Sequence, residues 1–148
     1  MMNVYMEEAL ALAKSAADEG EVPVGAVIVR HGEIIARGRN RREIGRNALY
    51  HAEIEAIHNA CTALGGWRLW DCELYVTLEP CPMCAGAIVN AHIPRITFGA
   101  YDRKNGACGS ITDVLHLKGG FQVDCTGGVM EEECRALLTA FFRKLRKT

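Results

Sequence analysis

The residues best suited to chemistry in this 148-residue sequence are a histidine, a glutamate and a pair of cysteines. His51 and Glu53 are separated by one alanine, and Cys81 and Cys84 lie in a Pro-Cys-Pro-Met-Cys run over residues 80–84. Zinc in proteins is usually tetrahedral, and catalytic zinc keeps one position for water. His51, Cys81 and Cys84 supply three ligands, so the pattern predicts a catalytic zinc site with its fourth position open.

Glu53 is better placed beside the metal than on it. Zinc acidifies a bound water toward neutral pH, and a carboxylate that reaches both this water and a leaving amine can carry a proton between them. We therefore expect Glu53 to be the catalytic acid and base of a hydrolytic reaction.

The spacing of these residues predicts the elements that position them. Cys81 and Cys84 share one face of the first turn of a helix, where Pro82 is also well tolerated. Thiolates are favoured there by the helix dipole. In the middle of a helix, the side chains of His51 and Glu53 would point in different directions. At a helix start both can point toward the open end, so we expect them there. The metal is then predicted to lie between two helix N-termini.

Two other kinds of site use cysteines with this spacing. A C-x-x-C at a helix start is typical of thioredoxin-like redox pairs. A closed structural zinc site needs a fourth protein ligand, but the sequence holds no second C-x-x-C. Both alternatives leave Glu53 without a function.

Length and composition predict one domain spanning residues 1–148, with 49% hydrophobic and 24% charged residues. The odd number of cysteines, seven, does not form a disulfide framework. Acidic Glu7 and Glu8 stand where a signal peptide would be basic, and no apolar run is long enough to span a membrane. We therefore expect a cytoplasmic protein without membrane contact, and expect the five other cysteines, at positions 61, 72, 108, 125 and 134, to be buried as small apolar residues.

The net charge of −1 conceals two basic segments. Residues 37–46 contain five arginines and one glutamate, and residues 143–147 contain four basic residues. Such segregation is typical of a surface that binds phosphates, although two solvated charged faces would give the same pattern.

Periodicity and turn residues predict an α/β fold. The expected helices cover residues 3–19, 51–63, 83–91, 112–117 and 130–146, and the expected strands cover 24–29, 33–39, 73–78, 95–99 and 122–125. The strand, helix and strand over 73–99 predict a parallel pair, with ligands bound beyond the carboxyl ends of the strands. We expect Ile54, Ile57 and Cys61 to face the core, residues 101–110 to form a surface loop, and one of Phe141 and Phe142 to remain available for a pocket wall.

Together, residues 51–53 and 80–84 resemble the signature of the zinc-dependent nucleoside and nucleobase deaminases. Within that group the chain is similar to the bacterial tRNA adenosine deaminases. The matching residues are 21–27, 77–80, 98–100, 102, 104, 106, 107 and 141–143. Guanine deaminases share the zinc motifs, so the matches outside those motifs decide the substrate.

The resemblance implies a three-layer α/β/α cytidine deaminase-like fold with a mixed five-stranded sheet. It also implies hydrolytic deamination of the wobble adenosine of a tRNA anticodon to inosine, by a homodimer with one Zn²⁺ per subunit. The alternatives are a free nucleobase deaminase acting on guanine or cytosine, and a catalytically idle RNA-binding protein.

The resemblance further assigns residues to the substrate. Asn40 matches a purine-contacting asparagine, although its sequence context is equally typical of a turn, and the Ala52 backbone is expected beside the base. Further positions match residues that line the pocket or approach the anticodon loop: Val22, Leu78, Asp102, Lys104, Phe142 and Arg143. The chain departs from the family pattern at residues 47–50 and 119–121, near the expected RNA-facing rim.

Overall fold

The computed structural model describes residues 2–147, and a mixed five-stranded sheet forms its centre. The strands are β1 (Gly25–Arg30), β2 (Glu33–Arg39), β3 (Cys72–Leu78), β4 (Arg95–Ala100) and β5 (Asp124–Thr126). They lie in the order β2-β1-β3-β4-β5. Strand β1 is antiparallel to both of its neighbours, whereas β3, β4 and β5 are parallel to one another.

Helices cover both faces of this sheet. They are α1 (Val4–Asp18), α2 (Ala52–Leu64), α3 (Pro82–Asn90) and α4 (Glu131–Arg146), with a 3₁₀ turn at Val114–His116. One layer contains α2 and α3, and the other contains α1 and α4. The predicted α/β/α architecture is therefore confirmed. None of the helices in the described part of the chain has the length and apolar character needed to cross a bilayer.

A two-residue turn joins β1 to β2. His31 (φ 52°) and Gly32 (φ 80°) both adopt positive φ angles, as the tight turns that match the twist of a hairpin require. This turn places the far end of β2 beside the start of α2.

Helix α2 lies unusually close to β2 at Gly38. A β-carbon at this position would lie 2.2 Å from the carbonyl oxygen of Ala52, so only glycine allows the contact. The close approach leaves room only for small side chains, and Ala52, Ala56 and Ala60 form the fully buried face of the helix. The expectation that Ile54 faces the core is wrong because Ile54 lies on the side of α2 that borders Met83.

Two other expectations also need correction. Cys72 and Cys134 are buried, but Cys61, Cys108 and Cys125 are only half-buried because they border the core rather than occupy it. Residues 101–110 are not a loop that lies wholly on the surface, since Gly106 and Ala107 are buried against the end of β3.

Candidate active site and metal centre

Two helix starts meet at the carboxyl end of β3. His51 is the N-cap residue of α2, and Cys81 is the N-cap residue of α3. Pro82 occupies the first turn of α3, where its missing N–H group costs nothing. Cys84, three residues after Cys81, is buried in that same turn. The structure therefore brings together all three predicted ligands.

The three side chains have the spacing of a tetrahedral metal site. Nδ1 of His51 lies 3.6 Å from Sγ of Cys81 and 3.5 Å from Sγ of Cys84. Zinc–nitrogen and zinc–sulfur bonds of ordinary length at a tetrahedral angle separate the two donor atoms by about 3.6 Å. No other His, Cys, Asp or Glu in residues 2–147 joins this cluster. The donor set therefore fits a metal ion with an open fourth position, whereas a redox pair would not need the histidine.

Contacts within the cluster prepare one sulfur for metal binding. The Cys84 side chain hydrogen-bonds to Cys81 and, despite the opposing effect of burial, lowers the pKa of Cys81 to about 4, with a further contribution from His51. The same hydrogen bond raises the pKa of Cys84, and the Cys81 contact raises the pKa of His51. Cys81 is thus a thiolate at neutral pH.

Glu53 lies in the first turn of α2 with only 4% of its surface exposed. Burial raises the pKa of Glu53 to about 7, and the neighbouring Cys81 thiolate adds to the effect. A carboxyl group that titrates near neutral pH can both accept and deliver a proton. This environment suits the role of general acid and base.

A cleft of about 1220 Å³ opens above the cluster. Seven of the eight predicted substrate-binding residues line it: Val22, Asn40, Ala52, Leu78, Asp102, Lys104 and Phe142. His51, Glu53 and Cys81 also contribute to its wall. Arg143 does not, because it is exposed on a different side of α4 from Phe142.

Asn40 is partly occupied by contacts within the protein. Its Nδ2 donates to the carbonyl of Val22 at 3.2 Å, and its Oδ1 accepts from the backbone N–H of Arg42 at 3.1 Å. An amide side chain offers two donors and two acceptor positions. One donor and one acceptor position of Asn40 therefore remain for a ligand. Asn40 both stabilises the turn after β2 and lines the cleft, so both of the roles that the sequence allows are compatible with the structure.

The cleft has further lining residues. Arg42 and Arg146 belong to the two basic segments that the sequence predicts to bind phosphates, whereas sequence reasoning missed Tyr101, Arg103, Asn105, Arg135, Leu138 and Leu145. On α4 the spacing of positions 135, 138, 142 and 145 is that of a single helical face. This periodicity was the available signal, but sequence alone does not indicate which face of α4 points toward the cleft.

The first basic segment offers fewer free charges than its composition suggests. Arg39 pairs with Glu19 at 2.7 Å, and Arg41 approaches Glu55 to 3.1 Å. Glu19 caps the end of α1 and Glu55 lies on α2, so neither pairing is visible in the sequence of residues 37–46. The cationic groups at the cleft are Arg42, Arg103, Lys104, Arg135 and Arg146. Of these, Arg135 pairs with Glu131, and Arg42 lies 3.9 Å from a carboxylate oxygen of Glu43.

Comparisons with known proteins agree with this geometry. The family model described as MafB19-like deaminase matches residues 2–146. The tRNA-specific adenosine deaminase of Bacillus subtilis (strain 168) is 51% identical over 145 residues, covering 97% of this chain and 90% of that protein. A solved structure from a study of A-to-I editing by tRNA:A34 deaminases at the wobble position of transfer RNA has a TM-score of 0.87 and 44% identity, covering 91% of this chain and 99% of that chain.

A second solved structure is more distant. Guanine deaminase from Bacillus subtilis has a TM-score of 0.64 and 41% identity, covering 68% of this chain and 66% of that chain. The tRNA-specific enzymes match nearly the whole chain at 44% to 51% identity, whereas guanine deaminase from Nitrosomonas europaea covers 93% of this chain with a TM-score of 0.82 at only 25% identity. With its ligand cluster, its buried glutamate and this similarity in view, the chain belongs to the MafB19-like deaminases and, among them, to the family of bacterial tRNA-specific adenosine deaminases.

Proposed function

We propose that this chain is a zinc-dependent hydrolase that converts the wobble adenosine of a tRNA anticodon to inosine. The observation that carries the proposal is the tetrahedral spacing of His51, Cys81 and Cys84 beside the buried Glu53, in a chain of this family. The similarity to the Bacillus subtilis enzyme, which is named a tRNA-specific adenosine deaminase, supports the choice of substrate.

One zinc ion per chain would be held by Nδ1 of His51 and by the sulfurs of Cys81 and Cys84. When bound, zinc supplies Lewis acidity that brings the pKa of a water molecule toward neutrality. The ionised Cys81 offers one negative ligand from the start, and Cys84 loses its proton when its sulfur binds the metal.

Glu53 moves the proton. Its carboxylate accepts one proton from the attacking water and delivers it to N1 of the adenine as the water oxygen bonds to C6. It then carries the remaining proton of that oxygen to the exocyclic nitrogen, the C6–N6 bond breaks, and ammonia leaves inosine with a carbonyl at C6 and a hydrogen on N1. Because its pKa lies near 7, Glu53 can perform both transfers at neutral pH.

The cleft supports binding of a nucleotide within a larger RNA. Val22, Leu78 and Phe142 provide apolar wall around the metal centre, and the unused donor and acceptor of Asn40 can contact the base or the ribose. Lys104 and the other basic residues at the cleft suit phosphates on either side. An unpaired base in an anticodon loop can be turned out of its stack at modest cost.

A free-base deaminase is the second candidate, and the likeness to guanine deaminase favours it. A free base calls for a small closed pocket without cations at its mouth. The cleft here, about 1220 Å³, is open and exceeds the roughly 300–1,000 Å³ of typical small-molecule sites. These features favour RNA over a free base, and the complete set of catalytic groups argues against an idle RNA-binding protein.

We also propose that the chain is a homodimer that acts in the cytoplasm. An apolar face lies next to the metal centre around Pro82, where α2, α3 and the 3₁₀ turn meet. Its residues are Leu49, Ile54, Met83, Ala87, Val89, Val114 and Leu117. Leu49 and Leu117 are more than half exposed, and such a patch is typical of a surface that a second subunit covers. All seven cysteines are free, which suits a reducing compartment.

An assay with two substrate classes tests the proposal. The purified protein is incubated with an unmodified arginine tRNA that carries adenosine at the wobble position, and inosine is measured in the digested RNA. Parallel reactions with free guanine and free cytosine are followed by ammonia release. Inosine in the tRNA is the expected result, and ammonia from a free base without inosine would favour the second candidate.

A further inference from the structure

Glu79 is a buried carboxylate that the catalytic scheme does not use. It follows β3 directly, stands two residues before Cys81, and has 1% of its surface exposed. Oε1 accepts hydrogen bonds from the backbone N–H of Asp102 at 3.1 Å and from the hydroxyl of Ser110. Oε2 accepts from the backbone N–H groups of Cys108 and Ser110, both at 3.0 Å. Glu79 therefore holds the segment 102–110 at both ends.

The surroundings of Glu79 stabilise a negatively charged carboxylate. Burial of an ionised carboxylate is costly unless its oxygens are hydrogen-bonded, and four donors from one loop meet that need. Within residues 2–147 no Lys, Arg or His forms an ion pair with Glu79. The loop itself is thus the partner of the charge, and its conformation depends on Glu79.

The loop carries residues of the cleft. Its first half, residues 101–105, lines the cleft and includes Asp102 and Lys104. Oδ1 of Asp102 accepts from the backbone N–H groups of Lys104 and Asn105 at 3.0 Å, which closes a tight turn. The bond from Asp102 N–H to Glu79 therefore sets the orientation of this turn relative to the metal centre.

Gly106 allows the loop to approach so closely. A β-carbon there would lie 2.5 Å from Cδ and 2.6 Å from Oε1 of Glu79, and 2.4 Å from the carbonyl oxygen of Asp102. The loop is also hydrogen-bonded to the residue before Cys81, because the backbone N–H of Ala107 donates to the carbonyl oxygen of Pro80 at 2.8 Å. The loop and the cysteine turn are thus one connected unit.

We propose that Glu79 is a positioning residue for substrate binding. It fixes residues 101–110 so that Asp102 and Lys104 stand at a set place beside the metal centre. This inference rests on the proposed function, because it assigns the loop to the RNA that the cleft would bind. Glu79 touches neither Glu53 nor the metal ligands through any hydrogen bond within residues 2–147. It therefore acts on substrate affinity and not on the chemical step.

The variant Glu79→Gln tests the assignment at constant size. The NH₂ group of the glutamine would replace an acceptor oxygen with a donor that faces backbone N–H groups. At least one of the hydrogen bonds that the Glu79 carboxylate accepts is therefore lost. With an anticodon stem-loop as substrate, we expect KM to rise about tenfold and kcat to stay within about threefold. Zinc content per chain should equal that of the wild type. Gly106→Ala, which pushes the loop off the same carboxylate, should show the same pattern.

Two controls separate positioning from loss of stability. Leu69→Ala removes a fully buried side chain near the opposite end of β3, and it should lower Tm while leaving KM unchanged. Ser110→Ala removes one donor and spares the other three, so it keeps the test available should Glu79→Gln fail to fold. Its KM should rise about two- to threefold.

Hydrogen exchange gives a readout that does not depend on activity. In Glu79→Gln the amides of residues 101–110 should exchange faster, while those of 41–50 keep their wild-type rates. Unchanged exchange, a fall in kcat at constant KM, or loss of zinc would each overturn the assignment. A wild-type protein without activity on the stem-loop would refute the proposed function instead, and the exchange rates would still decide the part played by Glu79 in the loop.

Discussion

Nδ1 of His51 lies 3.5 Å from Sγ of Cys84, although 33 positions separate the two residues in the chain. The contact joins the start of α2 to the first turn of α3 and forms one edge of the proposed metal centre. We expect Cys84→Ser to lose most of its zinc and its activity, because a neutral hydroxyl is a poor substitute for a thiolate ligand. Metal content per chain, measured by atomic emission, checks this.

The matched control for the ligand variant is Cys61→Ser on α2. Cys61 is half-buried and lies outside the ligand cluster, so its variant should keep wild-type zinc content. Metal binds the folded state preferentially, so only Cys84→Ser should lower Tm to that of the chelator-treated wild type. Full zinc in Cys84→Ser would contradict the proposed ligand set.

Glu53→Gln should keep its metal and lose catalysis. The amide preserves the size of the side chain but cannot accept and deliver a proton, so kcat should fall by roughly 10²- to 10⁴-fold. Single-turnover deamination of the stem-loop measures the chemical step directly. The control is Glu55→Gln, two residues along α2, where the side chain meets Arg41 and the backbone of Arg39 instead of the cleft. Wild-type kcat in Glu53→Gln would exclude the proton-transfer role.

Affinity for tRNA should fall steeply with salt if the cleft cations contact phosphates. Removal of one phosphate contact reduces the slope of log affinity against log salt by about 0.7 for a single-stranded site. We expect this change for Lys104→Ala, measured by fluorescence anisotropy over a salt range of roughly 50 to 300 mM, across which the Debye length shortens about 2.4-fold. Arg39→Ala is the control, since Arg39 is already paired with Glu19. If the slope of log affinity against log salt is the same in the wild type, Lys104→Ala and Arg39→Ala, then Lys104 does not contact a phosphate of the RNA.

The stability of the protein should depend on pH through His116. Its Nδ1 lies 2.6 Å from a carboxylate oxygen of Asp113 and its Nε2 lies 2.6 Å from the carbonyl oxygen of Val123. Both partners are acceptors, so the folded state favours the imidazolium, and the pKa of His116 is raised, chiefly by Asp113. The resulting stabilisation is complete below the unfolded pKa of about 6.5 and is lost as pH rises through the higher folded value.

Urea unfolding at several pH values measures this contribution. The difference in unfolding free energy between the wild type and His116→Gln should be largest near pH 5.5 and should shrink toward pH 8.5. Asp113→Asn removes the main cause of the raised pKa and should weaken the pH dependence. A difference that does not vary with pH would show that His116 is not held as a cation.

The apolar face around Met83 should mediate dimerisation. Light scattering should give about twice the chain mass of 16.2 kDa for the wild type. In a twofold interface the same patch occurs on both subunits, so Leu117→Glu places two carboxylates in an apolar contact and should yield monomers. Val4→Glu, on an exposed position of α1 in the opposite helical layer, should remain a dimer. A monomeric wild type at micromolar concentration would contradict the proposal.

Local patterns in the sequence determined the architecture and the members of the ligand cluster. The two-residue His31-Gly32 turn, the helix periodicities and Pro82 at the start of α3 depend on backbone preferences over a few residues, and the α/β prediction from them is confirmed. The spacing of Cys81 and Cys84 likewise acts within one helical turn. Such features are readable without tertiary information because neighbouring residues alone produce them. The catalytic and substrate-binding roles assigned to the cleft residues stay predictions.

Only the tertiary structure decided which side chains are buried, paired or free. Ile54 lies off the core because α2 turns Ala52 and Ala56 toward β2 at Gly38, which leaves Ile54 on the side of the helix that borders Met83. Arg39 forms an ion pair with Glu19, the residue that caps the end of α1. Glu79 accepts its hydrogen bonds from residues 23 to 31 positions later in the chain. These outcomes depend on which surfaces meet after the sheet forms, and the sequence carries no local signal for contacts over such separations.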